Sequence, residues 1–106
     1  MINYKDAETA LQYLVNTDIE VARAKALYDG LCEQRKTIKA MEFLKASGSA
    51  AERTEKAYAS EAYQQHLQLI KDAQIEFEIL RNKRNSNGQV IDMWRSVNSA
   101  QKMGNV

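Results

Sequence analysis

Apolar residues recur at heptad spacing through the second half of the chain. With d at Ala59, His66, Ala73, Leu80, Asn87, Trp94 and Gln101, the a positions are Tyr63, Ile70, Phe77, Arg84, Ile91 and Asn98. The first half of this seam is largely apolar, and the second half turns basic and polar. Such a seam on one face of a long helix is a surface for another helix. Its change of character points to a partner of a different kind for the distal part.

The rest of the pattern predicts helices throughout. Asn3 caps a short first helix over about residues 4–15, with Asp6 near the positive end of its dipole. Tyr4, Ala7, Ala10, Leu11 and Leu14 follow helical spacing there. Asn16-Thr17-Asp18 supplies a turn and a new cap. A second helix runs over about 18–46, with Ala24, Leu27, Leu31, Ile38 and Met41 on one face. Gly30 inside it costs about 1 kcal/mol relative to Ala, which the length absorbs. Ser47-Gly48-Ser49 closes this helix, and Ser49-Ala50-Ala51-Glu52 opens the next with a capping box.

The third helix is read as continuous or kinked over about 50–103. Asn85-Ser86-Asn87-Gly88 is the candidate break, because Asn-Gly is a turn signal, and a separate fourth helix from about Gln89 is the alternative. Phe77, Leu80, Ile91 and Trp94 hold one lattice across that gap, which favours continuity. A continuous helix spans on the order of 80 Å, and the second helix covers only about half of it. The hairpin therefore runs out near Leu80, and the first helix is placed to cover part of the segment beyond. The expected fold is all-α: one helical domain over residues 1–106, an antiparallel helical hairpin with a short N-terminal and a long C-terminal helix.

Composition agrees with this. Pro is absent and Gly occurs only four times, so little forces a chain break. The net charge of +1 hides an asymmetry. Residues 1–80 carry ten Lys/Arg against thirteen Asp/Glu, or −3; residues 81–106 carry five against Asp92 alone, or +4. A local excess of this sort points to an anionic partner, although cations also favour helix C-termini for their own sake.

Little else in the chain suggests chemistry. Cys32 is the only cysteine, so an intrachain disulfide is impossible and a cysteine zinc site lacks ligands. His66, the only histidine, occupies a d position beside Tyr63 and Ile70 and reads as a hydrogen-bonded seam residue. Glu76 and Glu78, two apart, point to different sides of a helix. No Gly-rich phosphate loop or nucleophile elbow is present, so neither an enzyme nor a cofactor site is expected. The N-terminus lacks the basic and apolar stretches of a signal peptide, and no apolar run is long enough to cross a bilayer. A cytoplasmic protein without a membrane partner is the expectation.

One constellation stands out. Leu80-Arg81-Asn82-Lys83-Arg84-Asn85-Ser86-Asn87-Gly88 is succeeded by Trp94-Arg95-Ser96 and Lys102. Arg81, Gly88, Arg95 and Lys102 share the e position and form one stripe if the helix is continuous. Cations spaced by two turns can follow a phosphate backbone, Gly88 would admit close approach, and Trp94 offers a stacking face. Basic grooves with aromatic platforms hold single-stranded nucleic acid. The candidate nucleic-acid contacts are thus Arg81, Lys83, Arg84, Arg95, Lys102 and Trp94, with Trp94 as a core anchor for the first helix as the competing assignment. A second basic group surrounds the hairpin turn: Lys36, Lys39, Lys45, Arg53 and Lys56, with Arg35 beside them. Glu33, Glu42, Glu52 and Glu55 alternate with these cations, which favours salt-bridged surface.

Several stretches also carry a likeness: Asp6-Ala7-Glu8-Thr9-Ala10-Leu11-Gln12-Tyr13-Leu14, Lys36-Thr37-Ile38-Lys39-Ala40, Ala57-Tyr58-Ala59-Ser60, Leu80-Arg81-Asn82-Lys83-Arg84 and Trp94-Arg95-Ser96. Over most of its length the chain resembles small all-helical bacteriophage proteins, among them helical anti-CRISPR proteins directed at type I-E systems. That resemblance implies a non-enzymatic protein of the bacterial host cell. Such a protein binds the single-stranded DNA exposed in the R-loop and denies it to the recruited nuclease. The alternative is a coiled-coil-like interaction module that docks its C-terminal helix on a protein partner through Ile91, Trp94 and Val97. A monomer is expected.

Overall fold

The computed structural model describes residues 2–104; Met1, Asn105 and Val106 lie outside the described residues. Three helices account for nearly all of them: α1 (Tyr4–Lys45), α2 (Ala50–Ala59) and α3 (Glu61–Gly104). The fold is all-α, with α1 packed against α3. Contacts divide the chain into two compact units, Met1–Ala22 with Glu78–Val106, and Arg23–Phe77.

The turn expected at Asn16-Thr17-Asp18 does not exist. α1 passes through it without interruption, because these polar side chains are satisfied within the helix or across it. Gln12 Nε2 donates to Asn16 Oδ1 (3.0 Å), and Thr17 Oγ1 donates to the Tyr13 carbonyl one turn back (2.8 Å). Thr17 itself is buried. The whole of α1 carries a heptad of its own. Positions 7, 14, 21, 28, 35 and 42 alternate with 10, 17, 24, 31 and 38, and all except Arg35 are buried or half-buried.

On α3 the expected seam is in place from Tyr63 to Asn98, whereas its two end positions, Ala59 on α2 and Gln101, are exposed. Tyr63, His66 and Ala73 are buried, and Ile70, Phe77, Leu80, Arg84, Asn87, Ile91, Trp94 and Asn98 are half-buried. Asn85–Gly88 does not break the helix. Ser86 Oγ donates to the Asn82 carbonyl (3.1 Å) and Asn87 Nδ2 to the Lys83 carbonyl (2.8 Å), so both polar groups are absorbed one turn back.

In the Arg23–Phe77 unit, Tyr28 stacks on Phe77 with centroids 6.3 Å apart, and His66 Nε2 lies 2.7 Å from the Leu31 carbonyl. A carbonyl only accepts, so this ring nitrogen carries the proton. Leu27 and Met41, expected on the core face, are about half exposed. The uninterrupted phase of α1 brings Tyr28 and Glu42 to those places instead.

The long third helix is divided at Ser60. The φ/ψ of Ser60 (−64°, 148°) is extended. Its hydroxyl donates to the Ala57 carbonyl (2.7 Å) and accepts from the Tyr63 amide (3.2 Å), so one residue ends α2 and caps α3. The hairpin turn forms where expected. Ser49 Oγ accepts from the Glu52 amide (3.2 Å), and Gly48 takes φ +116°. A Cβ at Gly48 would lie 2.7 Å from Glu52 Oε2.

In the other unit, Asn3 and Asp6 cap α1 reciprocally. Each backbone amide donates to the other's side chain, at 2.9 and 3.0 Å. Tyr4 meets Trp94 edge-on (5.7 Å, 64°). Arg84 Nη1 donates to the Leu14 carbonyl (2.8 Å) and to Thr17 Oγ1 (2.7 Å), while Nη2 donates to Asp18 Oδ1 (3.1 Å). The part of α1 from Tyr4 to Asp18 thus covers α3 from Arg84 to Trp94.

Replacing Arg84 by Ala should lower stability by about 1–3 kcal/mol in chemical denaturation, because two short bonds to part-buried acceptors disappear. Arg81→Ala, which removes an exposed pair with Glu78 (2.8 Å), should change it by less than about 1 kcal/mol. Equal losses for the two variants would show that Arg84 is not a structural clamp. Gly48→Ala should cost about 1 kcal/mol or more, since its φ disfavours any Cβ.

Candidate nucleic-acid interface

Because α3 is continuous, Arg81, Gly88, Arg95 and Lys102 fall on one line at seven-residue steps. Arg95 and Lys102 are exposed and, like Lys83, have no anionic partner among the described residues. Arg81 is exposed and paired with Glu78. These four remain available to solvent.

Two of the sequence candidates are committed elsewhere. Arg84 is turned inward and holds α1, so its donors face protein acceptors. Trp94 is half-buried against Tyr4, which makes it the anchor of the N-terminal segment of α1 rather than a free platform. Tyr4, by contrast, is 64% exposed. The seam register alone cannot tell these fates apart, because both residues occupy seam positions and their partners lie on α1.

Beside the stripe lies an open groove of about 430 Å³. It is lined by Tyr4, Leu11 and Leu14 from α1 and by Gly88, Ile91, Trp94 and Arg95 from α3. A Cβ at Gly88 would meet nothing within 4 Å, so the backbone there is accessible. Asp92 also lines this groove and partly offsets Arg95. Leu11, Val15 and Ile19, spaced by four along α1, are more than half exposed, a feature missed when the pattern is read as two separate helices.

The second basic group is divided by the fold. Lys45 pairs with Glu42 (3.8 Å), Arg53 lies over the Phe43 ring (4.4 Å) and donates to the Phe43 carbonyl, and Lys56 donates to the Ser47 carbonyl (2.8 Å). Arg53 and Lys56 thus tie α2 back across the hairpin turn, while the Lys45 pair stays within α1. Lys36 and Lys39, in contrast, are brought together with Arg35, Tyr58 and Tyr63 around a pocket of about 360 Å³. Among the described residues, no group of His, Cys, Asp and Glu is arranged to hold a metal ion, and no helix is long and apolar enough to cross a membrane. Cys32 is free and half-buried.

If Trp94 packs on Tyr4, the single tryptophan reports on that contact. Tyr4→Ala should shift its fluorescence emission to the red and raise its accessibility to a neutral quencher, while Tyr58→Ala should leave both unchanged. An unchanged spectrum in Tyr4→Ala would show that the ring is already in water and free to stack on a ligand.

Comparison with protein families, curated proteins and solved structures finds no match, so the roles assigned to these side chains rest on their geometry and chemistry.

Proposed function

We propose that the protein is a non-enzymatic single-stranded DNA-binding protein that holds the strand along the exposed cations of α3. The observation that carries this reading is the line of Arg81, Arg95 and Lys102 on an unbroken helix, with Lys83 nearby. Lys83, Arg95 and Lys102 have no anionic partner among the described residues. Cations repeated along a rod track a phosphate backbone and supply affinity without reading bases. Gly88 in the same line lets the strand approach the helix. Tyr4, exposed at the rim of the groove, takes the stacking role first expected of Trp94. Resemblance to helical anti-CRISPR proteins of phages extends the proposal to its setting. There the strand is the one displaced in an R-loop of the bacterial host, and occupying it blocks recruitment of the nuclease.

A titration with fluorescent single-stranded DNA at several salt concentrations tests this. Affinity should fall with salt at a log–log slope of roughly −0.7 per phosphate contact. The triple variant Lys83→Gln/Arg95→Gln/Lys102→Gln should bind all sequences more weakly and flatten the slope by about 2. Unchanged binding in the folded variant removes this surface from consideration.

The exposed apolar run Leu11, Val15 and Ile19 favours a second reading, a protein-interaction module. Its anchors would be these residues and Met93, which is 58% exposed, because Ile91, Trp94 and Val97 are half-buried. Light scattering separates the two. A monomer at low micromolar concentration fits the DNA-binding reading, and a stable dimer that Val15→Glu/Ile19→Glu dissociates would establish the interaction module.

A further inference from the structure

We infer that the pocket between α1, α2 and the start of α3 in the Arg23–Phe77 unit is a nucleotide-binding site that takes one base and its phosphate from a single strand. This site is separate from the cations of α3, although it takes the same class of ligand.

The first reason is a broken local rule. From Ala7 to Glu42, every a and d position of α1 is buried or half-buried except Arg35. At that point a seam residue that would normally be an apolar knob is a solvent-exposed cation. Positions at which a sequence departs from its own pattern without structural compensation are where function concentrates. Arg35 has no compensation: it makes no ion pair or hydrogen bond among the described residues.

The second reason is what surrounds it. Lys36, its neighbour in sequence, and Lys39, one turn on, line the same pocket, while Tyr58 enters from α2 and Tyr63 from α3. No carboxylate lines this pocket among the described residues. Among the described residues, the one ion pair made by its cations is Lys36 with Glu33 at 4.0 Å, with both side chains more than three-quarters exposed. That pair is weak and readily exchanged for a phosphate.

The third reason is the order of the aromatic wall. Lys39 Nζ donates to Tyr58 Oη (2.6 Å) and lies 4.3 Å from the ring centroid. The Tyr58 ring meets the buried Tyr63 ring edge-on (5.4 Å, 82°). Tyr58 is therefore held from two directions while 41% of its surface stays exposed. A fixed, exposed ring beside two solvent-exposed cations suits a base stacked on the ring with its phosphate on Arg35 and Lys36. Lys39, already engaged with the ring, positions Tyr58 rather than carrying the phosphate.

The test uses the full chain and a fluorescent fifteen-residue oligothymidylate carrying bromodeoxyuridine. Arg35→Gln/Lys36→Gln should weaken binding about tenfold at low salt and flatten the salt slope by about 1.4. Tyr58→Ala should weaken binding by about tenfold, whereas Tyr58→Phe, which keeps the ring, should bind within about threefold of the parent. Ultraviolet crosslinking should attach the strand to a peptide containing Tyr58.

If Arg35→Gln/Lys36→Gln binds normally while Lys83→Gln/Arg95→Gln/Lys102→Gln does not, the pocket is overturned and the α3 surface stands. The reverse result keeps the pocket and overturns the α3 surface. Thymidine monophosphate that displaces the strand at micromolar concentration would assign the pocket to a free nucleotide and overturn the strand assignment. Absence of binding by the parent protein overturns both.

Discussion

The hydrogen bonds that join the N-terminal and C-terminal parts of the chain come from one guanidinium. Arg84 stands at an a position where an apolar residue would normally sit, and a half-buried cation there is costly unless its donors are met. Three groups on α1 meet them: the Leu14 carbonyl, the Thr17 hydroxyl and the Asp18 carboxylate. The first two matter more, because Asp18 is largely exposed and its charge is screened. A polar residue in a seam fixes alignment. Sliding α1 by one heptad would set Ala10 and Leu11, or Ala24 and Lys25, opposite Arg84 in place of Thr17 and Asp18. Neither choice offers a side-chain acceptor, and Lys25 would repel it. The register that satisfies Arg84 is also the one that brings Tyr4 to Trp94.

This clamp explains which parts of the fold were legible in the sequence. Caps and the glycine turn are local chemistry, and Asn3 with Asp6, Ser49 with Glu52, and Gly48 all occur as read. The seam of α3 was legible because its period is unbroken. Asn16-Thr17-Asp18 misled because its residues favour a turn when alone. In the folded chain Thr17 is a seam residue whose hydroxyl serves both the helix and Arg84, and that partner lies 67 positions away. The heptad of α1 runs across the segment without slipping, and this signal could have overruled the local one. The break at Ser60 was hidden for the opposite reason. Ala59 fits the lattice of α3, and only the double use of the Ser60 hydroxyl stops the helix there.

The candidate surfaces obey the same division. Spacing identified the cations of α3 and their common line, but it could not separate Arg84, bound inward, from Arg95, left in water. Likewise Lys36 and Lys39 looked no different from Lys45, Arg53 and Lys56. The hairpin uses Arg53 and Lys56 in closing its turn, Lys45 pairs along its own helix, and Tyr58 is carried to the first two. Residues of one chemical type thus take on structural or binding roles according to which acceptors the fold places within reach.

The central claim is that α1 and α3 are each uninterrupted, with their interior polar segments absorbed by the seam. Residue-resolved amide hydrogen exchange tests it most directly. Exchange should be slow through residues 16–18 and 85–88, comparable with flanking turns of the same helices, and fast at 47–49. Arg84→Ala should speed exchange at 16–18 before it does so at 61–77. Fast exchange at 16–18 or 85–88 in the unmodified protein would mean that the helices break there. A break at 85–88 would take Arg81 off the line of Arg95 and Lys102, and either result would contradict the claim.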